Sequence, residues 1–159
     1  MSWFVKATAA QRPKTKNIRT VGLGLAGVFV VMAVAQLFTF EKFPEVITAM
    51  WLPGDELFSP VRAAVIVTLE VAAVPFLLSM RLSPAMRFIS MVAGWMAIVA
   101  WLVATIWQNI SSGVISNSGL LGASVSLPVG WWNVLFCVAL AVLAAWAAWG
   151  MWPLKKRGK

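Results

Sequence analysis

The chain has 159 residues, 61% hydrophobic and 11% charged, and a mean hydropathy of +0.86. Soluble domains are about a quarter charged, so this composition indicates a small membrane domain. With no His and a single Cys, Cys137, the chain cannot form an intramolecular disulfide or build a histidine-based zinc, haem or triad site. The net charge of +8 comes from residues beside apolar stretches, where positive charge reports membrane orientation, so we expect no nucleic-acid partner.

Four apolar stretches are each long enough to cross a bilayer, which takes roughly 20 helical residues. The sequence therefore predicts an all-α integral membrane four-helix bundle within residues 20–152. A basic leader, residues 1–19, precedes the bundle and a basic tail, residues 153–159, follows it. The predicted spans are residues 20–40, 62–80, 88–107 and 131–152.

The first span is full length and runs into bulky residues, whereas a signal peptide has a short apolar core and a small-residue cleavage site. We therefore read it as an uncleaved anchor. Its Gly22, Gly24 and Gly27 match the dinucleotide-binding fingerprint as a string, but no predicted strand precedes them. Small residues that let helices approach closely in lipid are the better interpretation.

Basic residues are distributed unevenly between the two sides that the spans define. The leader holds five of the thirteen Lys and Arg residues, the turn between the second and third spans holds two and the tail holds four, and no acid accompanies them. This bias predicts that both termini are cytoplasmic. We expect a multi-pass protein of a prokaryotic cytoplasmic (inner) membrane.

The two outer connections leave alternatives open. Residues 41–60 carry apolar side chains at helical spacing between Pro44 and Pro53, a pattern typical of a short amphipathic helix lying on the membrane surface. A loop that lids the helices would use the same residues. Residues 108–130 carry no charge, and such a segment either packs back over the helices or meets a partner protein. The candidate partner-contact residues are Asn117, Ser118, Gly119, Leu120, Leu121 and Gly122.

Glu70 lies near the middle of the second span. An acid at that depth costs ~2.5 kcal/mol on insertion scales, so it marks a site or a buried hydrogen bond. By residue count Gln36 lies ~7 Å nearer the outer face, so contact would need a water or a long side-chain reach. The candidate hydrogen-bond partners of Glu70 are Gln36, Thr68, Thr105 and Asn133.

Three interpretations of Glu70 remain open. In the first, it is a protonated carboxyl that hydrogen-bonds to a neighbouring helix and specifies packing. In the second, it faces an interior pocket that binds a proton, a quinone-like head group or another small ligand. In the third, it lies at an interface with another subunit. Pro75 favours the pocket, because a proline frees the carbonyl of Val71 and can kink the helix. For Trp95 and Trp101, core packing or lipid contact is a better explanation than a quinone-stacking site.

The glycine-bearing first span, Gln36-Leu37, the FTFEKFPEVI exit and the central Glu70 resemble the DoxX/MauE group of small four-helix bacterial membrane proteins. MauE-like members carry a Cys-Gly-Cys-Phe-Gly motif before the fourth span and an Asn at its start. Residues 118–122, SGLLG, and Asn133 correspond here, with both cysteines replaced. The resemblance thus implies the scaffold without its disulfide-exchanging thiol pair. Many relatives place a basic residue where this chain has Gln36.

The expected function is that of a non-catalytic accessory or assembly subunit of a larger prokaryotic membrane complex, and the resemblance alone implies a respiratory or redox context. The alternative is a small-molecule, quinone or lipid-binding membrane protein with an intramembrane pocket around Glu70. An enzyme acting through its own residues comes third. The expected partners are membrane lipids, other membrane protein subunits and, in the alternative, a quinone. We assign no catalytic residue, metal ligand or cofactor.

Overall fold

The computed structural model describes residues 7, 13–50, 56–111 and 116–151. Within these ranges the chain is helical and contains no β-strand, which confirms the predicted all-α class. The five helices are α1 (Lys16–Phe38), α2 (Phe43–Ala49), α3 (Ser59–Leu77), α4 (Pro84–Ile110) and α5 (Trp131–Met151). A 3₁₀ turn, Glu56–Phe58, leads into α3. Helices α1, α3, α4 and α5 are each long and apolar enough to cross a membrane.

The first three long helices begin three or four residues before the predicted spans, because polar caps and prolines start them. The Thr15 side chain accepts the Ile18 N–H at 3.4 Å at the start of α1. The Ser83 side chain likewise accepts the Met86 N–H at 3.2 Å, and Pro84 occupies the first position of α4. Hydropathy alone does not register such capping residues. The predicted tail and residues 1–6 and 8–12 of the leader lie outside the described residues.

Each long helix packs against two others. Helix α1 contacts α3 and α5, and α4 contacts the same two helices. The chain before α1 is tied to the end of α5, since Lys14 Nζ donates to the Trp149 carbonyl at 2.8 Å and lies 4.0 Å from the centroid of the Trp149 ring. The start of α1 and the end of α5 therefore lie at the same end of the molecule.

The three glycines of α1 differ in their surroundings. A Cβ added to Gly22 would lie 3.1 Å from the Leu77 carbonyl oxygen, so this glycine permits close approach of α1 and α3. A Cβ on Gly24 or Gly27 would meet nothing within 4 Å. Close packing inside the chain therefore explains Gly22 and leaves the other two glycines facing open space.

Ser90 of α4 is inserted into the hydrogen-bond ladder of α3 beside Pro75. Its hydroxyl accepts the Phe76 N–H at 3.0 Å and donates to the Ala72 carbonyl at 2.5 Å, so it bridges a pair that would otherwise bond directly within the helix. The cavity beside Ser90 and Phe76 measures only ≈ 10 Å³, which is at the lower limit for one water. The proline region thus holds a side-chain bridge in place of a ligand pocket.

Helix α2 packs its apolar side against the longer helices. Phe43, Ile47 and Met50 are buried, in one apolar cluster with Trp101 and Leu120. The inward packing of α2 agrees with the lid interpretation of residues 41–60, and its helical conformation agrees with the predicted short helix. The predicted helix end at Pro53-Gly54 lies outside the described residues.

Candidate functional site

Glu70 is fully buried in α3, where one oxygen of its carboxyl accepts two hydrogen bonds from neighbouring helices. The indole N–H of Trp101 in α4 donates to Glu70 Oε1 at 2.7 Å, and Gln36 Nε2 in α1 donates to the same oxygen at 3.2 Å. All three side chains are at most 1% exposed. The carboxyl therefore links three of the four long helices through uncharged donors.

The amide of Gln36 also holds the loop that precedes α5. Its Nε2 donates to the Leu120 carbonyl at 3.1 Å as well as to Glu70, so one amide group joins α1, α3 and the loop. Gln36 and Glu70 meet directly, so the reach of the two side chains closes the axial offset that residue counting predicts. The buried polar centre is thus part of the attachment of the loop to the helices.

Two glycines in left-handed conformations shape this loop. Gly119 has φ 74° and Gly122 has φ 63°, and the Gly122 N–H donates to the Gly119 carbonyl at 2.9 Å. A Cβ at Gly122 would lie 2.9 Å from Gln36 Cα, so only a glycine lets the loop backbone reach α1 at this point. The Ala123 N–H then donates to Thr39 Oγ1 at 3.1 Å, next to the same helix end.

The other candidate partners of Glu70 bond elsewhere. Thr68 donates to the Ala64 carbonyl at 2.7 Å, Thr105 donates to the Trp101 carbonyl at 2.8 Å and Asn133 donates to the Pro128 carbonyl at 3.1 Å. Thr105 and Asn133 are fully buried, but neither has a hydrogen bond to Glu70. Of the four sequence candidates, only Gln36 does.

Trp101 is the site residue that the sequence reasoning missed, since it was assigned to packing or lipid contact alone. Its ring does belong to the core, but a buried indole N–H also needs an acceptor. Ala97, Thr105 and Gln108 lie four before, four after and seven after it, and all are buried, so helical spacing places Trp101 on the inner face of α4. That spacing was the available signal that Trp101 could reach a buried acid.

Several buried polar atoms have no hydrogen-bond partner within the described part of the chain. Glu70 Oε2 and Gln36 Oε1 are two of them, at the junction of α1 and α3. Others lie near the loop, on Gln108, Ser118 and Asn133. Buried polar atoms are nearly always satisfied, so a proton on the Glu70 carboxyl and ordered waters at the amide and hydroxyl oxygens would complete the network.

The six candidate partner-contact residues form the inward-facing part of the loop. Ser118, Gly119, Leu120 and Gly122 are buried, and Asn117 and Leu121 are partly so. The Gln108 side chain donates to the Ser118 carbonyl at 3.2 Å, which secures the loop to α4. Residues 117–122 are therefore mostly covered by their own chain, and the more exposed surface of the loop follows at residues 124–126.

Apolar grooves open on the outer surface of the described helices, and two of them are large. One, of ≈ 490 Å³, lies between α1 and α5 beside the loop, and none of its lining residues is charged. It is lined by Gly24, Gly27, Val28, Val31, Met32, Leu120, Leu121, Leu127, Trp132 and Phe136. The other, of ≈ 380 Å³, lies between α2, α3 and α4 and is lined partly by Arg62 and Trp101. Glu70 lines neither groove.

The described residues hold no group of three or more His, Cys, Asp or Glu side chains arranged for a metal ion. Cys137 is fully buried, with its sulfur 3.9 Å from Thr105 Oγ1. Compared with protein-family profiles, with curated proteins and with solved structures, the chain has no match.

Proposed function

We propose that this chain is a multi-pass integral protein of a prokaryotic cytoplasmic membrane, folded as a four-helix bundle with both termini in the cytoplasm. Four helices of membrane-spanning length and the pairwise packing of each with two others support the bundle. The contact of Lys14 with Trp149 supports a common side for the start of α1 and the end of α5. The concentration of Lys and Arg in the leader, in residues 81–87 between the second and third predicted spans, and in the tail supports the cytoplasmic assignment.

Within that membrane, the chain serves as a non-catalytic accessory or assembly subunit of a larger complex. The observation that carries this proposal is the uncharged groove between α1 and α5. Gly24 and Gly27 face it, and a Cβ added at either position would meet no atom within 4 Å. Elsewhere the exposed face of α1 carries bulky Leu and Val side chains, as lipid contact allows. Small residues in membranes let another helix approach closely, so a transmembrane helix of a partner subunit fits this groove.

The polar groups of the helices support the same role. Gln36 and Trp101 both donate to Glu70, and Gln36 also donates to the chain's own loop, so these groups join parts of the scaffold. The resemblance to the DoxX/MauE group, which lends a respiratory or redox context, remains part of this proposal. It rests on the glycine-bearing first span, Glu70 and the loop glycines.

Purification from native membranes in mild detergent, followed by mass spectrometry, tests the accessory role. We expect a larger membrane protein to co-purify at fixed stoichiometry with the wild-type chain and with Ala145→Leu, an exposed position outside the groove. Gly24→Leu and Gly27→Leu should fold and lose the partner, because leucine fills the groove. Recovery of the wild-type chain alone, or equal capture by all variants, would contradict the proposal.

Accessibility of introduced cysteines tests the orientation. The single native Cys137 is buried, so the natural background should not react. A membrane-impermeant maleimide added to intact spheroplasts should label Ser126→Cys in the outer loop. It should label Asn17→Cys at the start of α1 only after permeabilisation. The opposite pattern would invert the proposed topology.

A second candidate function is binding of a quinone, lipid or other small molecule. One observation favours it. Trp101 lines the groove between α2, α3 and α4, and its N–H donates to Glu70, so an occupant of the groove would contact the indole that is bonded to the polar centre. A quinone retained by the purified chain and lost on Trp101→Ala would support this function. A retained partner protein with no quinone supports the accessory role.

A further inference from the structure

The groove between α2, α3 and α4 differs from the other one in having a cation at its rim. Its volume is ≈ 380 Å³, and Arg62 is its one charged lining residue. The walls include Val65 and Val103, which are half exposed, and the base includes the buried Trp101 ring. The groove is thus apolar along its length and positive at one position.

Arg62 lies near the outer end of this groove. It is the fourth residue of α3, roughly 4.5 Å along the helix axis from Ser59 at 1.5 Å per residue. Ile66 lies one turn deeper. At the depth of the first helical turn, a long basic side chain reaches the head-group region of a bilayer. The guanidinium has five N–H donors, and their fork geometry matches phosphate oxygens. It can therefore donate to a phosphate in addition to the contacts that Arg62 makes within the protein.

From this charge complementarity we propose that the groove binds one phospholipid with an anionic head group. The phosphate lies at Arg62, and an acyl chain runs between Val65 and Val103 onto the Trp101 ring. A quinone ring or a zwitterionic lipid would offer the guanidinium less net negative charge. The inference rests on the membrane placement proposed above and names a phospholipid as the occupant in the second candidate function, and it is independent of the accessory role.

Native mass spectrometry of the purified full-length chain in detergent provides the test, with phosphatidylglycerol and phosphatidylcholine of matched acyl chains as probes. The wild-type chain should retain the anionic lipid roughly fivefold better, the effect of one basic residue near an anionic surface. Arg62→Gln should abolish that preference, and Val65→Trp, which fills the groove, should remove retention of both lipids. Arg87→Gln is the matched control, since Arg87 also lies in the first turn of a long helix and is similarly exposed.

Equal retention of the two lipids by the wild-type chain would overturn the proposal. So would a loss of preference in Arg87→Gln as large as in Arg62→Gln, or a dimer that Val65→Trp dissociates, since a second copy would then occupy the groove. Fractionation of cells before purification tests the membrane placement separately from lipid binding. A chain outside the membrane would appear in the soluble fraction, whereas a membrane chain without lipid preference would contradict only the lipid proposal.

Discussion

The indole nitrogen of Trp101 lies 2.7 Å from Glu70 Oε1 and joins α4 to α3 where Gln36 reaches the same oxygen from α1. An acid inside a membrane-length helix is thus met by two neutral donors from two other helices. Neither donor carries a charge, so this contact is a hydrogen-bonded centre and not an ion pair. In hydrocarbon such bonds contribute about 0.6 kcal/mol each on average, so the two bonds together are expected to stabilise the fold by ~1 kcal/mol.

Replacement of Glu70 should separate the role of the acceptor from that of the acid. Glu70→Gln keeps an oxygen for Trp101 and Gln36, so stability in detergent should change little. Glu70→Leu removes the acceptor of both donors and should lower the free energy of unfolding by ~1 kcal/mol, the scale of two intramembrane hydrogen bonds. Unfolding by titration with a denaturing detergent measures both. Equal, negligible effects would show that the centre does not stabilise the fold.

The bond between Trp101 and Glu70 can be isolated with a double-mutant cycle. Trp101→Phe keeps an aromatic ring and removes the N–H donor, so on its own it should destabilise the fold. Combined with Glu70→Leu it should cost less than the sum of the single changes, with a coupling of roughly 0.5 kcal/mol or more. Strict additivity would mean that the indole contributes through packing alone. In a control cycle that pairs Glu70→Leu with Thr68→Ala, a substitution at an exposed position, the changes in the free energy of unfolding should be additive.

Ser90→Ala tests the bridge beside Pro75. Without the hydroxyl, the Phe76 N–H and the Ala72 carbonyl lose their partner, and we expect a loss of about 2 kcal/mol in the free energy of unfolding. Thr68→Ala is the matched control, because that exposed hydroxyl bonds only to the Ala64 carbonyl of its own helix. A loss no greater than the control's would mean that Phe76 and Ala72 bond directly once the serine is absent.

Gly122→Ala tests the attachment of the loop to α1. The left-handed conformation disfavours alanine, and its Cβ would press on the backbone at Gln36, so we expect a loss of about 2 kcal/mol. Gly24→Ala, at a helical position with open space, should instead stabilise the chain by up to about 1 kcal/mol through helix propensity. Thermal unfolding in one detergent compares the two. Similar behaviour of both variants would argue against close docking of the loop.

A good part of the fold could be read from local sequence. The apolar stretches indicated where the long helices lie, because a membrane requires each crossing segment to satisfy its own backbone. The starts of the helices were harder to predict from hydropathy, since the caps Thr15 and Ser83 extend α1 and α4 into sequence that is not apolar. Glu70 stood out as one acid in an apolar run, whatever its partners.

What the sequence determined, then, is what depends on each segment by itself: the all-α class, four helices of membrane length and the position of the buried acid. Only the tertiary structure decided that Trp101 and Gln36, and not Thr105 or Asn133, meet Glu70, and that residues 117–122 turn inward. Those outcomes depend on the rotation of each helix about its axis and on two left-handed glycines that bring a loop against α1. Both arise from packing between segments that are distant along the chain, which the periodicity of a single segment does not encode.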